Sequence, residues 1–140
     1  MIEEDLRDYL ASLETVQELM DDPEASGAIQ QNRSEQTGPR TRIWFQRSGG
    51  TAVTGMTETF VHITDLDIEC ISHDVATAEA LGQELRQQFT DWLPNEMGES
   101  FVHYIEVTDV QSDYQPKGTT KDGGEHWSAL AISIHHEDSD

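Results

Sequence analysis

Residues 57–93, TETFVHITDLDIECISHDVATAEALGQELRQQFTDWL, hold the pattern that decides the fold. Apolar and polar side chains alternate along residues 60–71, which is typical of a half-buried β-strand. The phase of this alternation changes at Thr64 and Asp65, so the apolar residues before and after that point take opposite parities. The change predicts a bulge or bend that keeps one face of the strand inward.

An amphipathic helix is predicted to follow this strand. Ser72 and Asp74 offer N-cap side chains ahead of it, and Pro94 is expected to stop it. Apolar residues recur at spacings of three and four, so they form one stripe on a helical surface. The stripe consists of Ala78, Leu81, Leu85, Phe89 and Trp92. The strand and this helix are therefore predicted to form the centre of the core.

The remaining periodic segments predict an α+β fold. Residues 2–20 carry apolar side chains on one helical face, while residues 41–47, 101–110 and 126–135 alternate as strands do. The element order is α-β-β-α-β-β. Two helices packed on one face of a four-stranded, mostly antiparallel sheet is the simplest arrangement of these elements.

The chain length of 140 residues predicts a single domain over residues 1–140. Glycine- and serine-containing segments without periodicity predict a turn at 48–55 and long loops at about 21–40 and 111–125. The last residues, 136–140, are predicted to be a frayed tail.

Two of the predicted strands carry apolar or aromatic residues on both faces, although two helices can cover only one face. The face left uncovered contains Val102, Tyr104, Val110 and Trp127. A neighbouring subunit would cover this face. Alternatively, the long loops of the same chain would fold over it.

The charge of the chain is its strongest compositional signal. It carries 28 acidic and 8 basic residues, for a net charge of −20. Such a surface argues against a nucleic-acid clamp, which needs a basic stripe. Two interpretations remain: adaptation to a saline habitat, where salt screens self-repulsion, or a wall that DNA passes without binding.

The compartment is predicted from cysteine usage and from the absence of targeting signals. The single cysteine, Cys70, can form no internal disulfide, and its place in an alternating strand indicates an apolar core residue. The first residues lack the basic and apolar regions of a signal peptide, and no apolar run approaches the length of a membrane span. We therefore expect folding in the cytoplasm and no association with a membrane.

The chain shows no arrangement of residues typical of an enzyme. None of its six histidines lies in a His-Glu-x-x-His motif, and no Gly-Lys-Ser/Thr phosphate loop is present. We expect no catalytic residues, no cofactor and no metal. The alternative is a metal- or ligand-binding module, which would need His103 and His126 to converge from adjacent strands.

Two further features leave alternatives open. Arg40, Arg42 and Arg47 hold three of the eight positive charges in a short span. They indicate either a solvated strand edge that discourages edge-to-edge pairing or partners for carboxylates of a neighbouring subunit. Tyr114 and Pro116 indicate either a turn with an anchoring aromatic residue or a contact arm.

The order of several segments carries a resemblance to a known family. In chain order they are an amphipathic helix (6–20), RIWFQR (42–47), LDIEC (66–70), a helix (76–89), a strand (104–110), DYQP (113–116) and a closing strand (126–134). In this order and spacing, the chain resembles the tail completion or tail terminator (head–tail joining) proteins of long-tailed bacteriophages and prophages. The likeness covers nearly the whole chain.

The resemblance implies a non-enzymatic role in the virion, after assembly in the host cytoplasm. Such proteins form a ring, usually a hexamer, that caps the tail tube, ends its polymerisation and joins it to the head connector, while DNA passes through the lumen. The implied partners are further copies of the chain, the tail tube protein and a connector or neck protein. The candidates for subunit contacts are Arg42, Arg47, Val102, Tyr104, Tyr114 and Trp127. Another neck protein, or a stand-alone halophilic domain, is the alternative.

Overall fold

Three helices and six strands lie within the residues that the computed structural model describes, which are 2–20, 28–31, 41–54, 60–115 and 125–138. The helices are α1 (Ile2–Ser12), α2 (Glu14–Leu19) and α3 (Val75–Thr90). The strands are β1 (Ile29–Gln31), β2 (Arg42–Thr54), β3 (Phe60–Ser72), β4 (Asn95–Met97), β5 (Ser100–Gln115) and β6 (Glu125–Asp138).

The strands form one sheet in the order β1-β2-β3-β6-β5-β4. β1 is parallel to β2, and the other four neighbouring pairs are antiparallel. The predicted α+β class and mostly antiparallel sheet are confirmed, but the predicted numbers of four strands and two helices are wrong. β1 and β4 are each three residues long, and so short a segment shows no recognisable alternation in a sequence.

The predicted N-terminal helix over 2–20 is two helices that meet at Leu13. This residue has extended backbone angles (φ −70°, ψ 130°), so α1 ends before α2 begins. The Gln17 side chain donates a hydrogen bond to the Ala11 carbonyl at 3.1 Å, which satisfies an acceptor near the end of α1. No glycine or proline marks this break in the sequence. The predicted apolar face is still buried: Leu6, Leu10, Val16 and Met20.

α3 begins and packs as predicted. The Asp74 carboxylate accepts hydrogen bonds from the Ala76 amide at 3.2 Å and the Thr77 hydroxyl at 3.1 Å, so Asp74 is the N-cap. The stripe that faces the sheet is fully buried: Ala78, Leu81, Leu85 and Phe89. This face of α3 covers β3, β6 and β5.

Trp92, the last residue of the predicted stripe, lies beyond the end of α3. The helix ends at Thr90, and the Trp92 indole Nε1 then donates a hydrogen bond to the Val102 carbonyl at 3.0 Å. The Tyr9 ring of α1 meets the Trp92 ring edge-on, with centroids 5.3 Å apart. Trp92 therefore connects α1 to the start of β5.

The predicted bulge at Thr64 and Asp65 is wrong. β3 pairs with β6 residue for residue, and the irregularity lies on β2 at Ser48. Thr64 therefore occupies the core face, where its hydroxyl lies 2.8 Å from His136 Nε2 and accepts a hydrogen bond from Arg47 at 3.3 Å. These bonds let a buried hydroxyl hold a position for which the alternation predicts an apolar residue.

Three strands are longer than the sequence predicts. β2 continues through the predicted turn as far as residue 54, because pairing with β3 outweighs the turn preference of its glycines. β5 extends to residue 115, and β6 extends to residue 138, where the sequence predicts a frayed tail. In that tail, His136 is only 2% exposed. The rest of the predicted loops and tail lies outside the described residues: 21–27, 32–40, 116–124 and 139–140.

A buried carboxylate connects α1 to the hairpin between β4 and β5. The hairpin turns at Gly98, whose φ of 62° favours glycine. Asp5 is 8% exposed, and its carboxylate accepts hydrogen bonds from the Ser100 hydroxyl at 2.6 Å and the Glu99 amide at 3.3 Å. Asp5 therefore fixes α1 against the hairpin.

α3 lies very close to β6 at Gly82. A Cβ placed on Gly82 would lie 2.7 Å from the Ser128 Cβ and closer still to its hydroxyl oxygen. Such a distance is too short for real carbon atoms, so any larger residue at this position would push α3 away from the sheet.

We expect Gly82→Ala to lower the free energy of unfolding by about 1–3 kcal/mol through overpacking, although alanine alone favours a helix by about 1 kcal/mol. Urea unfolding followed by circular dichroism measures the change. The exposed neighbour Gln83→Ala is the control and should stay within about 0.5 kcal/mol of the parent. Adding Ser128→Gly to Gly82→Ala should restore stability. A stabilising Gly82→Ala would contradict the close approach.

Asp5→Ala should lower the free energy of unfolding by about 1.5–3 kcal/mol, because two donors lose a charged acceptor inside the protein. The matched control is Asp8→Ala on the same helix, where the side chain is 75% exposed. Both variants remove one negative charge, so a difference between them in urea unfolding isolates the buried contact. Equal stabilities would show that Asp5 does not fix the hairpin.

Candidate interaction surface

The sheet has one face that the helices leave uncovered within the described residues. α3 contacts β3, β5 and β6 on the opposite face, where the core residues of these strands are fully buried. Residues paired across neighbouring strands point to the same side. The register therefore places on the uncovered face Gln46, Asp65, Asp67, Phe101, Tyr104, Glu106, Ala131, Ser133 and His135. We call this the outer face.

One end of the outer face is buried. Arg42, Trp44 and Ile71 are only 3%, 5% and 4% exposed. The Arg42 guanidinium lies 4.6 Å from the centroid of the Trp44 ring, a cation–π contact. Trp127, which pairs with Ile71, is half-buried. This end is therefore a packed cluster, and Arg42 is not available at the surface.

The middle of the outer face is acidic and lined by small side chains. The central strand β6 contributes Ala131 and Ser133, with Asp65 and Asp67 on one side and Glu106 on the other. The Ser133 hydroxyl donates a hydrogen bond to the Asp65 carboxylate at 2.5 Å. This part of the face therefore combines short central side chains with carboxylates on both sides, so it is negatively charged.

The other end of the outer face carries an exposed group of rings, Phe101, His103, Tyr104 and His135, which we call the aromatic patch. Tyr104 is 52% exposed and Phe101 is 36% exposed. The Tyr104 and His135 rings meet edge-on with centroids 5.4 Å apart, and those of Phe101 and His103 lie 4.8 Å apart. The His103 Nε2 lies 2.7 Å from a carboxylate oxygen of Glu137. Aromatic rings in solvent are typical of contact surfaces.

Two bulges in β5 explain which predicted contact residues reach this face. The register with β6 shifts at His103 and again at Thr108, so strict alternation along β5 fails. Val102 is fully buried in the core, and its predicted place on the uncovered face is wrong. Tyr104 lies on the outer face, as predicted, and its role in a subunit contact stays a prediction.

Arg47, one of the arginines predicted to contact a neighbouring subunit, has an ion-pair partner within its own chain. Arg47 lies on the helix side of β2, where its guanidinium is 3.7 Å from the Glu3 carboxylate. Its side chain remains 54% exposed, so this ion pair contributes little to stability. Arg40 lies outside the described residues, as does the side chain of Tyr114. Subunit contacts of Arg47, Tyr114 and Trp127 therefore remain predictions.

The structure does not bring together the histidines of the alternative metal site. His103 lies next to the pair of Tyr104 and His135, whereas His126 pairs with Tyr114 at the far end of the same two strands. Nine residues of strand separate the two positions, roughly 30 Å. The convergence that this alternative requires is therefore absent for His103 and His126. Within the described residues no group of three or more metal-ligating side chains occurs.

Sequence reasoning missed the buried polar network between the helix side of the sheet and α1. His136 is bonded to Thr64, and its ring stacks on His62 with centroids 5.7 Å apart. Arg47 extends the network from Thr64 to Glu3. The only sequence feature that indicated this network was Thr64, a polar residue at a position where the alternation along β3 predicts an apolar one.

Among the helices described, none has the length and apolar character needed to cross a membrane.

The face assignment of β5 has a direct test. Val102→Ala should lower the free energy of unfolding by about 1–3 kcal/mol, because it leaves a cavity in the core. Tyr104→Ser, two residues away, should change it by less than about 0.5 kcal/mol, since the ring is half in solvent. Urea unfolding of both variants measures the difference. The reverse ranking would show that the bulges are misplaced.

A comparison with solved structures finds a fold similar to that of a chain in the virion of a native gene transfer agent (GTA) particle. The two chains are 13% identical with a TM-score of 0.51, and the match covers 79% of this chain and 78% of the other. No protein-family profile matches this chain, and no curated protein matches it significantly. At this identity, the likeness concerns the fold alone.

Proposed function

We propose that this chain is a structural protein of a phage-type virion that forms a ring at the end of the tail tube. The ring caps the tube, ends its polymerisation and joins it to the head connector. The observation that carries this proposal is the fold shared with a chain of a gene transfer agent virion over nearly four fifths of both chains. The tail-terminator position follows from the resemblance of the segment order.

The outer face supports a role in assembly. Its aromatic patch leaves Tyr104 and Phe101 in solvent. The exposed surface of these rings contributes nothing to the stability of an unassociated protein. Half-exposed aromatic rings beside polar residues are typical of surfaces that become buried when subunits assemble. Neighbouring subunits, or the tube itself, would cover the patch.

The acidity of the chain supports a position along the path of DNA. A net charge of −20 repels the phosphate backbone, so a ring of such subunits lets DNA pass without binding it. The same charge is compatible with a saline host, and the two explanations do not exclude each other.

Capping requires two different surfaces on one ring. One surface must match the tube. The other must not bind a further ring of tube subunits, and this requires contacts that are unfavourable for those subunits. No catalytic step or cofactor enters this mechanism. The proposed function is therefore mechanical, and its partners are copies of the chain, the tube protein and a connector or neck protein.

The test uses the full chain and tubes assembled from the tail-tube protein encoded beside its gene. We expect negative-stain images to show a ring at one tube end, and capped tubes to stop elongating when further tube subunits are added. Light scattering of the complex measures the number of copies in the ring. A chain that stays monomeric and never decorates tubes would overturn the proposal, as would a gene without tail genes nearby.

Tyr104→Ser should weaken ring or tube binding by at least about tenfold, if the patch is buried on assembly. The matched control is Val75→Ser, which removes an apolar side chain that is 45% exposed at the start of α3, on the helix side of the sheet. Sedimentation of the variants with tubes measures the difference. Binding to the connector but not to tubes would assign the chain to another station in the neck.

A further inference from the structure

Among the described residues, each long edge strand of the sheet has a neighbouring strand at one end only. β2 has 13 residues, but β1 pairs with just three of them, Ile43 to Phe45. β5 has 16 residues, but β4 pairs with just three, Ser100 to Val102. Within the described residues, the backbone of 46–54 on one edge and of 103–115 on the other has no neighbouring strand. A row of unpaired backbone groups is a template for pairing with another strand.

The two edges have complementary outlines. The register runs from Arg42 through Ile71 and Trp127 to Asp113, so these residues mark one end of the sheet. β1 covers β2 at this end, while β4 covers β5 at the opposite end. Within the described residues, each edge therefore has a step and a recess. When two copies stand side by side at the same height, the step of each edge faces the recess of the other.

The strand directions also fit. β6 is antiparallel to both β3 and β5, and β2 is antiparallel to β3. β2 and β5 therefore run in opposite directions within one sheet. With each step seated in the facing recess, β1 of one copy meets β5 of the next as an antiparallel pair, and β4 meets β2 as a parallel pair.

The two edges differ in charge. β1 and β2 contain no carboxylate. Of the two arginines on this edge, Arg42 is buried against Trp44, and Arg47 lies on the helix side beside Glu3. β4 and β5 contain no arginine or lysine and four carboxylates: Glu96, Glu106, Asp109 and Asp113. In a chain with a net charge of −20, placing the edge without carboxylates beside the acidic edge avoids the repulsion that two acidic edges would meet. Neither β2 nor β5 contains a proline or lysine, residues that often protect an edge from pairing.

We propose that copies of this chain join head to tail, with the β1–β2 edge of one copy beside the β4–β5 edge of the next. The contact uses two different edges, so a row of copies has one open edge at each of its two ends until it closes into a ring. This edge contact specifies how the copies in the proposed ring would join, and it rests on the proposed function only for closure into a ring. The sheet would then continue across every subunit boundary.

Ser48 and Thr108 provide the crosslinking test. Both are exposed, both lie at the bulge of their edge strand, and the register places them within about one residue of the same height. A bismaleimide of about 10 Å spans two strand spacings, which covers the width of one step. Burial raises the pKa of the Cys70 thiol to about 12, so the native cysteine does not react in the folded protein.

The Ser48→Cys/Thr108→Cys double variant should give a ladder of covalent dimers, trimers and larger species up to a closed ring. Each single variant alone should give none, and a mixture of the two should give dimers only. The control Ser48→Cys/Gln83→Cys, with its second cysteine exposed on α3, should give background only. Dimers from a single variant would indicate a symmetric contact and overturn the proposal. A missing ladder, both at high protein concentration and on tail tubes, would also overturn it.

The outcomes separate this inference from the proposed function. Rings that cap tubes without an edge-to-edge ladder would leave the function standing and remove the edge contact. A full ladder without any binding to tubes would leave the edge contact standing and remove the tail-terminator role.

Discussion

The fold depends on the packing of α3 against the central strands β3 and β6. Leu81, Leu85 and Phe89 bury one face of the helix there, and Gly82 lets its backbone lie against Ser128. Each fully buried apolar side chain of this kind contributes about 1.5–3 kcal/mol before entropy is counted. Because this contact covers one face of the sheet, it also determines which face stays open.

The rest of the structure follows from that asymmetry. The first turn of α1 contacts the sheet at two places. The Asp5 carboxylate accepts hydrogen bonds from the β4–β5 hairpin, and the Glu3 carboxylate lies beside the Arg47 guanidinium. At one end of the core, a hydrogen bond between Thr64 and His136 takes the place of apolar packing. The helices leave the outer face bare, and the short strands β1 and β4 leave most of both edges bare within the described residues. The surface offered to partners is therefore made of sheet, both its face and its edges.

The sequence predicts those parts of this arrangement that depend on long periodic segments. The α3 stripe as far as Phe89, the Asp74 cap and the strand predicted over 126–135 are all confirmed. The errors occur where pairing overrides local preference: bulges at His103 and Thr108 exchange the faces of β5 residues. A bulge depends on the partner strand, which periodicity along one segment does not reveal. The short strands β1 and β4 and the separation of His103 from His126 could not be predicted for the same reason. Register is a property of two paired strands, and one segment alone does not reveal it.

Self-association of so acidic a chain requires that attraction and repulsion act over different distances. Each added copy brings another charge of −20, and this repulsion extends across the whole molecule. At physiological salt the Debye length is about 8 Å, so charges on opposite sides of neighbouring subunits are largely screened. The carboxylates of β4 and β5, such as Glu106, would face an edge of the next copy that contains no carboxylate, so the edge contact adds little repulsion of its own. The acidity that discourages DNA binding is then compatible with a closed assembly, because backbone pairing between the edges acts at contact distance while most of the repulsion is screened.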